Sequence, residues 1–110
     1  MDYIERLRRL ALNDAHLQDD DALEVQLQEL EPRTLALVRI AALVANGGAQ
    51  PSYGAEADAA VGAGATAGEI VDVLAGIIPI VGLPCAVAAA PKLALALGFD
   101  VLEPPEGSSD

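Results

Sequence analysis

Ala63-Gly64-Ala65-Thr66-Ala67-Gly68-Glu69-Ile70-Val71-Asp72-Val73-Leu74 decides how this chain folds. A glycine ends one helix by taking the left-handed conformation past its last turn. Two residues on, Thr66-x-x-Glu69 has the form of a capping box. The threonine oxygen accepts from the N–H of residue 69, and the glutamate reaches back to the N–H of residue 66. Behind it Ile70, Val73, Leu74, Ile77 and Val81 recur at helical spacing. One helix stops, a turn intervenes and another helix starts, all within a dozen residues.

Upstream, Glu31-Pro32-Arg33-Thr34 opens a helix, because proline suits a first turn where its missing N–H is not needed. That helix runs to about Ala45 and ends at Asn46-Gly47-Gly48. It carries two apolar stripes, Leu37/Ile40/Ala41/Val44 and Leu35/Val38/Ala42, which predicts burial on more than one side. A further helix is expected over about 51–63. Downstream, Pro79 must bend the 66–81 helix or thin its last turn by freeing the carbonyl of Ala75. Gly82-Leu83-Pro84 marks a break, and a last helix spans about 84–97 with a kink at Pro91. Near the N-terminus, Asp2 caps a helix over about Tyr3–Leu12 with Ile4, Leu7, Leu10 and Ala11 on one face. Residues 13–31 are polar and acidic, with a short helix over 21–30. No strand-like alternation occurs, so the expected fold is all-α, with about five to six helices in one domain, 1–102, and a flexible tail, 103–110.

The 110 residues have room for one domain. Of these, 53% are apolar, yet Tyr3, Tyr53 and Phe99 are the only aromatics. Ala, Leu, Val and Ile make up the rest, and a chain this short cannot hide so much apolar helix surface alone. A homo-oligomer is therefore expected. The formal charge of −11 excludes nucleic-acid binding, which needs a basic stripe. Arg6, Arg8 and Arg9 form the one basic cluster. It reads as a solvated face, or as a contact with the acidic run from Asp19 to Glu31 of another subunit. The uncharged stretch from Val73 to Pro91 approaches transmembrane length. Its glycines and prolines, its alanine content and the lack of anchoring aromatic or basic flanks identify it instead as a buried helix pair, without membrane insertion. No secretory signal is apparent, which favours the cytoplasm. A single cysteine, Cys85, excludes an intrachain disulfide or a thiolate metal site; no metal and no cofactor are expected.

Three stretches in this order and spacing resemble the carboxymuconolactone decarboxylase family, within the wider alkylhydroperoxidase D-like superfamily. They are Glu31-Pro32-Arg33-Thr34-Leu35-Ala36-Leu37-Val38-Arg39-Ile40-Ala41-Ala42-Leu43-Val44-Ala45, the 63–74 stretch quoted above, and Ile80-Val81-Gly82-Leu83-Pro84. The resemblance covers about 31–100. It implies an alkylhydroperoxidase D-like helical fold with a central antiparallel helix pair, and trimers or hexamers whose subunits share active-site walls. It also implies where chemistry sits. Peroxidase-type members carry Cys-x-x-Cys-x-x-x-His at the start of the helix placed here at 51–63, and those positions fall on Ala49, Ser52 and Glu56. A disulfide relay needs two thiols, so the antioxidant reading lacks its reagent. Decarboxylase-type members keep the histidine, and here it is Glu56. The sole histidine, His16, lies far upstream and reads as a surface residue.

The candidate catalytic residues are Glu56, for acid–base work in a dry pocket, and Ser52, four residues earlier on the same face. The candidate substrate-binding residues are Arg39 and Tyr53. Arg39 is the lone charge between Thr34 and Gln50, expected buried and paired with Glu56, Glu69 or Asp72, or holding a substrate carboxylate. Tyr53 would offer a hydroxyl in the same pocket, or pack its ring at a helix junction. Cys85, at a helix start, is either a reactive thiolate or an inert buried thiol. The resulting expectation is a cofactor-independent lyase for a small carboxylated or lactone-type metabolite; the alternative is a non-catalytic homo-oligomer that binds or scaffolds.

Overall fold

The computed structural model describes residues 3–12 and 29–100. The cap at Asp2, residues 21–28 of the short acidic helix, His16 and the 103–110 tail lie outside them. The described residues form helices and no strand: α1 (Tyr3–Ala11), α2 (Pro32–Asn46), α3 (Gln50–Gly62), α4 (Ala67–Gly76), α5 (Ile78–Val81) and α6 (Leu83–Ala96). The fold is all-α. The chain divides into two compact units, Met1–Leu30 and Glu31–Asp110.

In the first unit, α1 places Glu5 one turn before Arg8 and Arg9, which it pairs at 3.5 and 3.6 Å. Both arginines lie in the last turn, where the helix dipole favours cations. Tyr3, Leu7 and Leu10 share one exposed side of this helix with Arg6.

The second unit is built on a helical hairpin. Pro32 starts α2, and Gly47 ends it at φ 77°, donating its N–H to the carbonyl of Leu43 at 2.8 Å. Only residues 47–49 separate α2 from α3, so the chain turns straight back and the two helices pack side by side. This is the most extensive helix pairing among the described residues. At 66–69 the expected capping box is present. Thr66 Oγ1 accepts from the N–H of Glu69 at 3.1 Å, and Glu69 Oε1 accepts from the N–H of Thr66 at 2.9 Å. The other oxygen of Glu69 takes a bond from Arg33 at 3.2 Å, tying the start of α2 to the start of α4.

The single 66–81 helix expected from the periodicity is instead two. α4 stops at Gly76, Ile77 leaves regular helical geometry (φ −90°, ψ −7°), and α5 restarts with Pro79 in its first turn. A proline costs least in a first turn, where its missing N–H is not needed, and the break at Ile77 gives Pro79 that position. Gly82, at φ 90° and ψ 152°, then redirects the chain into α6. α6 runs through Pro91 as one helix.

The core takes Ala36, Ile40 and Val44 from α2, Tyr53, Ala57 and Ala60 from α3, and Ala86, Ala89 and Leu93 from α6, with Ala65 and Ile70 closing one end. Small side chains at these positions allow close helix approach. The second stripe of α2 does not find the cover its composition predicts. Leu35 is half-buried, but Val38 and Ala42 are exposed, because the other helices of this unit pack on the Ala36/Ile40/Val44 side. No helix among the described residues is long and apolar enough to cross a membrane.

Candidate functional site

The outer side of the α2–α3 hairpin forms an open groove of about 440 Å³. α2 contributes Arg39, Leu43 and Asn46, spaced so that all three look out on one face. From the first two turns of α3 come Ser52 and Glu56, one helical turn apart on the facing side. Glu56 is half-buried; Arg39 and Ser52 are exposed. The Asn46 amide is turned back on its own helix, donating to the carbonyl of Ala42 at 2.8 Å. The groove thus presents a guanidinium, a hydroxyl and a carboxylate across a short apolar floor.

Three of the four residues singled out from the sequence meet here, and the fourth does not. Tyr53 follows Ser52 by one residue, which turns its side chain about 100° around the helix. That places it inward with Ala57 and Ala60, 1% exposed, on the opposite side of the hairpin. Its ring packs at the α2–α3–α6 junction and adds nothing to the groove beside Ser52. Arg39 also departs from expectation. It is exposed, so α2 contains no buried guanidinium. Of the partners proposed for it, Glu69 is taken by Arg33 and by its own cap. An arginine on the rim of a two-helix groove can keep its charge in water while its stem covers apolar surface, which is why a lone charge in an apolar helix does not imply burial.

A second groove, of about 370 Å³, lies where Tyr53 does face. Val44, Gly47, Cys85, Ala88 and Lys92 line it along with Tyr53. Burial pushes the Tyr53 phenol above its ordinary value; a backbone hydrogen bond with Gly48 opposes the shift, and the nearby Cys85 adds to it. Lys92 Nζ donates to the carbonyl of Gly48 at 3.2 Å, and Gln50 Nε2 donates to the carbonyl of Lys92 at 2.7 Å. These two bonds strap the α2–α3 turn to α6. Cys85 is half-buried in the first turn of α6. Among the described residues no group of three His, Cys, Asp or Glu side chains is placed to hold a metal ion.

Asn46, read in the sequence only as a helix breaker, borders both grooves. Its spacing of seven residues from Arg39 is the signal that places the two on one helix face.

The sequence model of the carboxymuconolactone decarboxylase family matches residues 10–95, more than three quarters of the 110-residue chain. No curated protein and no solved structure matches the chain. The matched stretch contains both grooves and the whole α2–α3 hairpin.

Proposed function

Because this chain belongs to the carboxymuconolactone decarboxylase family, we propose that the Arg39–Ser52–Glu56 groove binds a small carboxylated or lactone-type metabolite and acts on it as a cofactor-independent lyase. One observation carries the reading. Ser52 and Glu56 occupy the positions at which the resemblance locates the family's reactive side chains, and both line the groove that also holds Arg39. The planar fork of Arg39 suits a substrate carboxylate. The hydroxyl of Ser52 suits a lactone or ketone oxygen. Glu56 is the acid–base group of the groove. In such a decarboxylation the bond to the leaving carboxylate breaks, its electron pair passes into the conjugated carbonyl, and carbon dioxide departs. A proton from solvent, relayed through Glu56, is then delivered to the carbon.

The thiol-peroxidase reading has no support, since the sequence holds one cysteine, Cys85, and it lines the other groove. A non-catalytic relative that only binds is the second reading, and the exposure of Arg39 and Ser52 favours it. Ion pairing on an open, water-filled rim is screened and gives little transition-state discrimination. One experiment separates the two. Small carboxylates and carboxylated lactones are titrated calorimetrically while carbon dioxide release is followed, with wild type, Glu56→Gln and Arg39→Ala in parallel. The lyase reading expects release by wild type, binding without release by Glu56→Gln, and weakened binding by Arg39→Ala. Equal release by wild type and Glu56→Gln would remove Glu56 from the chemistry. Binding with no release by any of the three would establish the non-catalytic reading.

A further inference from the structure

We propose that the groove between α2, α3 and α6 around Lys92 is a second ligand site, one that takes a small monoanionic carboxylate with an apolar body. This inference is independent of the ligand assigned to the Arg39 groove.

Charge is the first observation. Lys92 is the only charged residue between Asp72 and Asp100. It is half-buried and lines the groove of about 370 Å³. The chain has 17 acidic residues, yet no ion pair among the described residues includes Lys92. Its ammonium carries three N–H donors. The bond it makes, at 3.2 Å, goes to a neutral acceptor, the Gly48 carbonyl. Strapping α6 to the α2–α3 turn does not call for a charge. Gln50 makes the reciprocal bond, to the carbonyl of Lys92, with a neutral amide. Among the described residues a half-buried ammonium thus lacks a counter-ion, and an incoming anion supplies it.

Tyr53 is the second observation. It is 1% exposed and lines the same groove. Its phenol meets the backbone of Gly48. A backbone N–H only donates, so the phenol oxygen accepts there and keeps its own hydrogen to donate. Two donors, one of them charged, reach Gly48 from α3 and α6. A carboxylate, with two acceptor oxygens, is the group able to take a bond from each.

The walls fix the rest of the ligand. Val44, Pro84, Ala88 and Ala89 give the groove apolar sides. A single cation among such walls matches a monoanion, whereas a phosphate monoester would bring a second charge with nothing to meet it. The volume lies toward the lower end of the range for small-molecule sites, which suits a short acid.

Cys85, the only cysteine of the chain, is half-buried and lines this groove and not the other. Its alkylation in the full chain, followed by mass spectrometry, therefore reports occupancy here even if acids also enter the Arg39 groove. The probes are benzoate and hexanoate, with benzamide and hexanamide as uncharged controls. At least one acid is expected to slow labelling about 10-fold at saturating concentration, and its amide to bind about 10-fold more weakly or worse. Lys92→Gln, which retains a neutral donor for Gly48, should lose the protection, and Lys92→Arg should keep it. Tyr53→Phe should weaken it roughly 3-fold or more. Arg39→Ala should leave it unchanged. Circular dichroism monitors the fold of each variant, and the comparison of acid with amide needs only wild type. Labelling that neither acid slows at millimolar concentration overturns the proposal. So does an amide that protects as well as its acid, or protection that survives Lys92→Gln or vanishes with Arg39→Ala. A Cys85 that resists alkylation with no acid present also overturns it, since something else then covers the groove.

Discussion

Tyr53 has the bulkiest fully buried side chain among the described residues, and it sits one residue from Ser52, which is exposed in the groove. Both were recognisable from the sequence as polar groups near the start of one helix. What separates them is helical phase, and phase depends on which side of α3 meets α6. The alanines at 55, 57, 59 and 60 leave that choice nearly unmarked, since apolar residues occur on both sides. Two predictions belong here. Tyr53→Ala should cost about 3–5 kcal/mol in chemical denaturation, as for other buried aromatic truncations. Tyr53→Phe should keep most of that stability and change the alkaline limb. The phenol has its value raised in the folded state, so it supports folding below the ordinary tyrosine range and that support is lost as pH climbs through the raised value. Unfolding followed at alkaline pH should therefore show a steeper decline for wild type than for Tyr53→Phe; identical declines would assign alkaline loss to other groups.

At the scale of elements, the punctuation of the chain was readable because each stop and start rests on local chemistry. Gly47 closes α2, the Thr66/Glu69 box opens α4, and Gly82 precedes α6. The break at Ile77 was readable in part: Pro79 marked a bend or a thinned last turn, but the apolar spacing runs on from Ile70 to Val81 and gave no sign of a full stop. Periodicity reports which face is apolar, not whether the helix is continuous. Thr66→Ala should destabilise by about 1 kcal/mol, the usual worth of an N-cap side chain. The acid limb should also change. Glu69 is held below the ordinary glutamate value, first by the Thr66 backbone bond; desolvation opposes this, and Arg33 and the Thr66 hydroxyl lower it further. Its contribution is present above the ordinary range and is lost as pH falls through the depressed value. Glu69→Gln should accordingly flatten the loss of stability between mildly and strongly acidic pH, measured by thermal melts across that interval. Gly82→Ala tests the link into α6. Its added methyl meets nothing closer than Pro84 Cδ at 3.7 Å, so any cost is backbone strain at φ 90°, about 1–3 kcal/mol. A neutral result would mean the link relaxes without disturbing α6.

For the whole molecule, family membership was evident in the order and spacing of three short stretches, each weak alone. The Arg39–Ser52–Glu56 convergence followed from it in part. The placement of Ser52 and Glu56 on one face is a spacing argument, whereas Arg39 facing them depends on how the hairpin closes. Its exposure could not be foreseen, because a lone charge in an apolar helix is compatible with a core or with a rim. The bulk charge makes its own prediction. With −11 on 110 residues, shortening the Debye length from about 30 Å to about 8 Å should raise the thermal midpoint by relieving self-repulsion. Calorimetry between roughly 0.01 M and 0.15 M salt checks this. A falling midpoint would mean that favourable pairs such as Arg33–Glu69 outweigh the net repulsion.

Among the described residues, six of the eleven buried apolar side chains are alanines: Ala36, Ala57, Ala60, Ala65, Ala86 and Ala89. A core of this kind has an unusual mutational spectrum. Truncation, the common route to a damaged core, has little to remove at those six positions. Enlargement is the hazard, because a methyl packed between close helices leaves no room for a longer side chain, and overpacking typically costs about 1–3 kcal/mol per site. Drift toward valine or leucine at these alanines is what purifying selection must remove, while the exposed positions around the Arg39 groove can change side chains freely without loosening the frame that carries them.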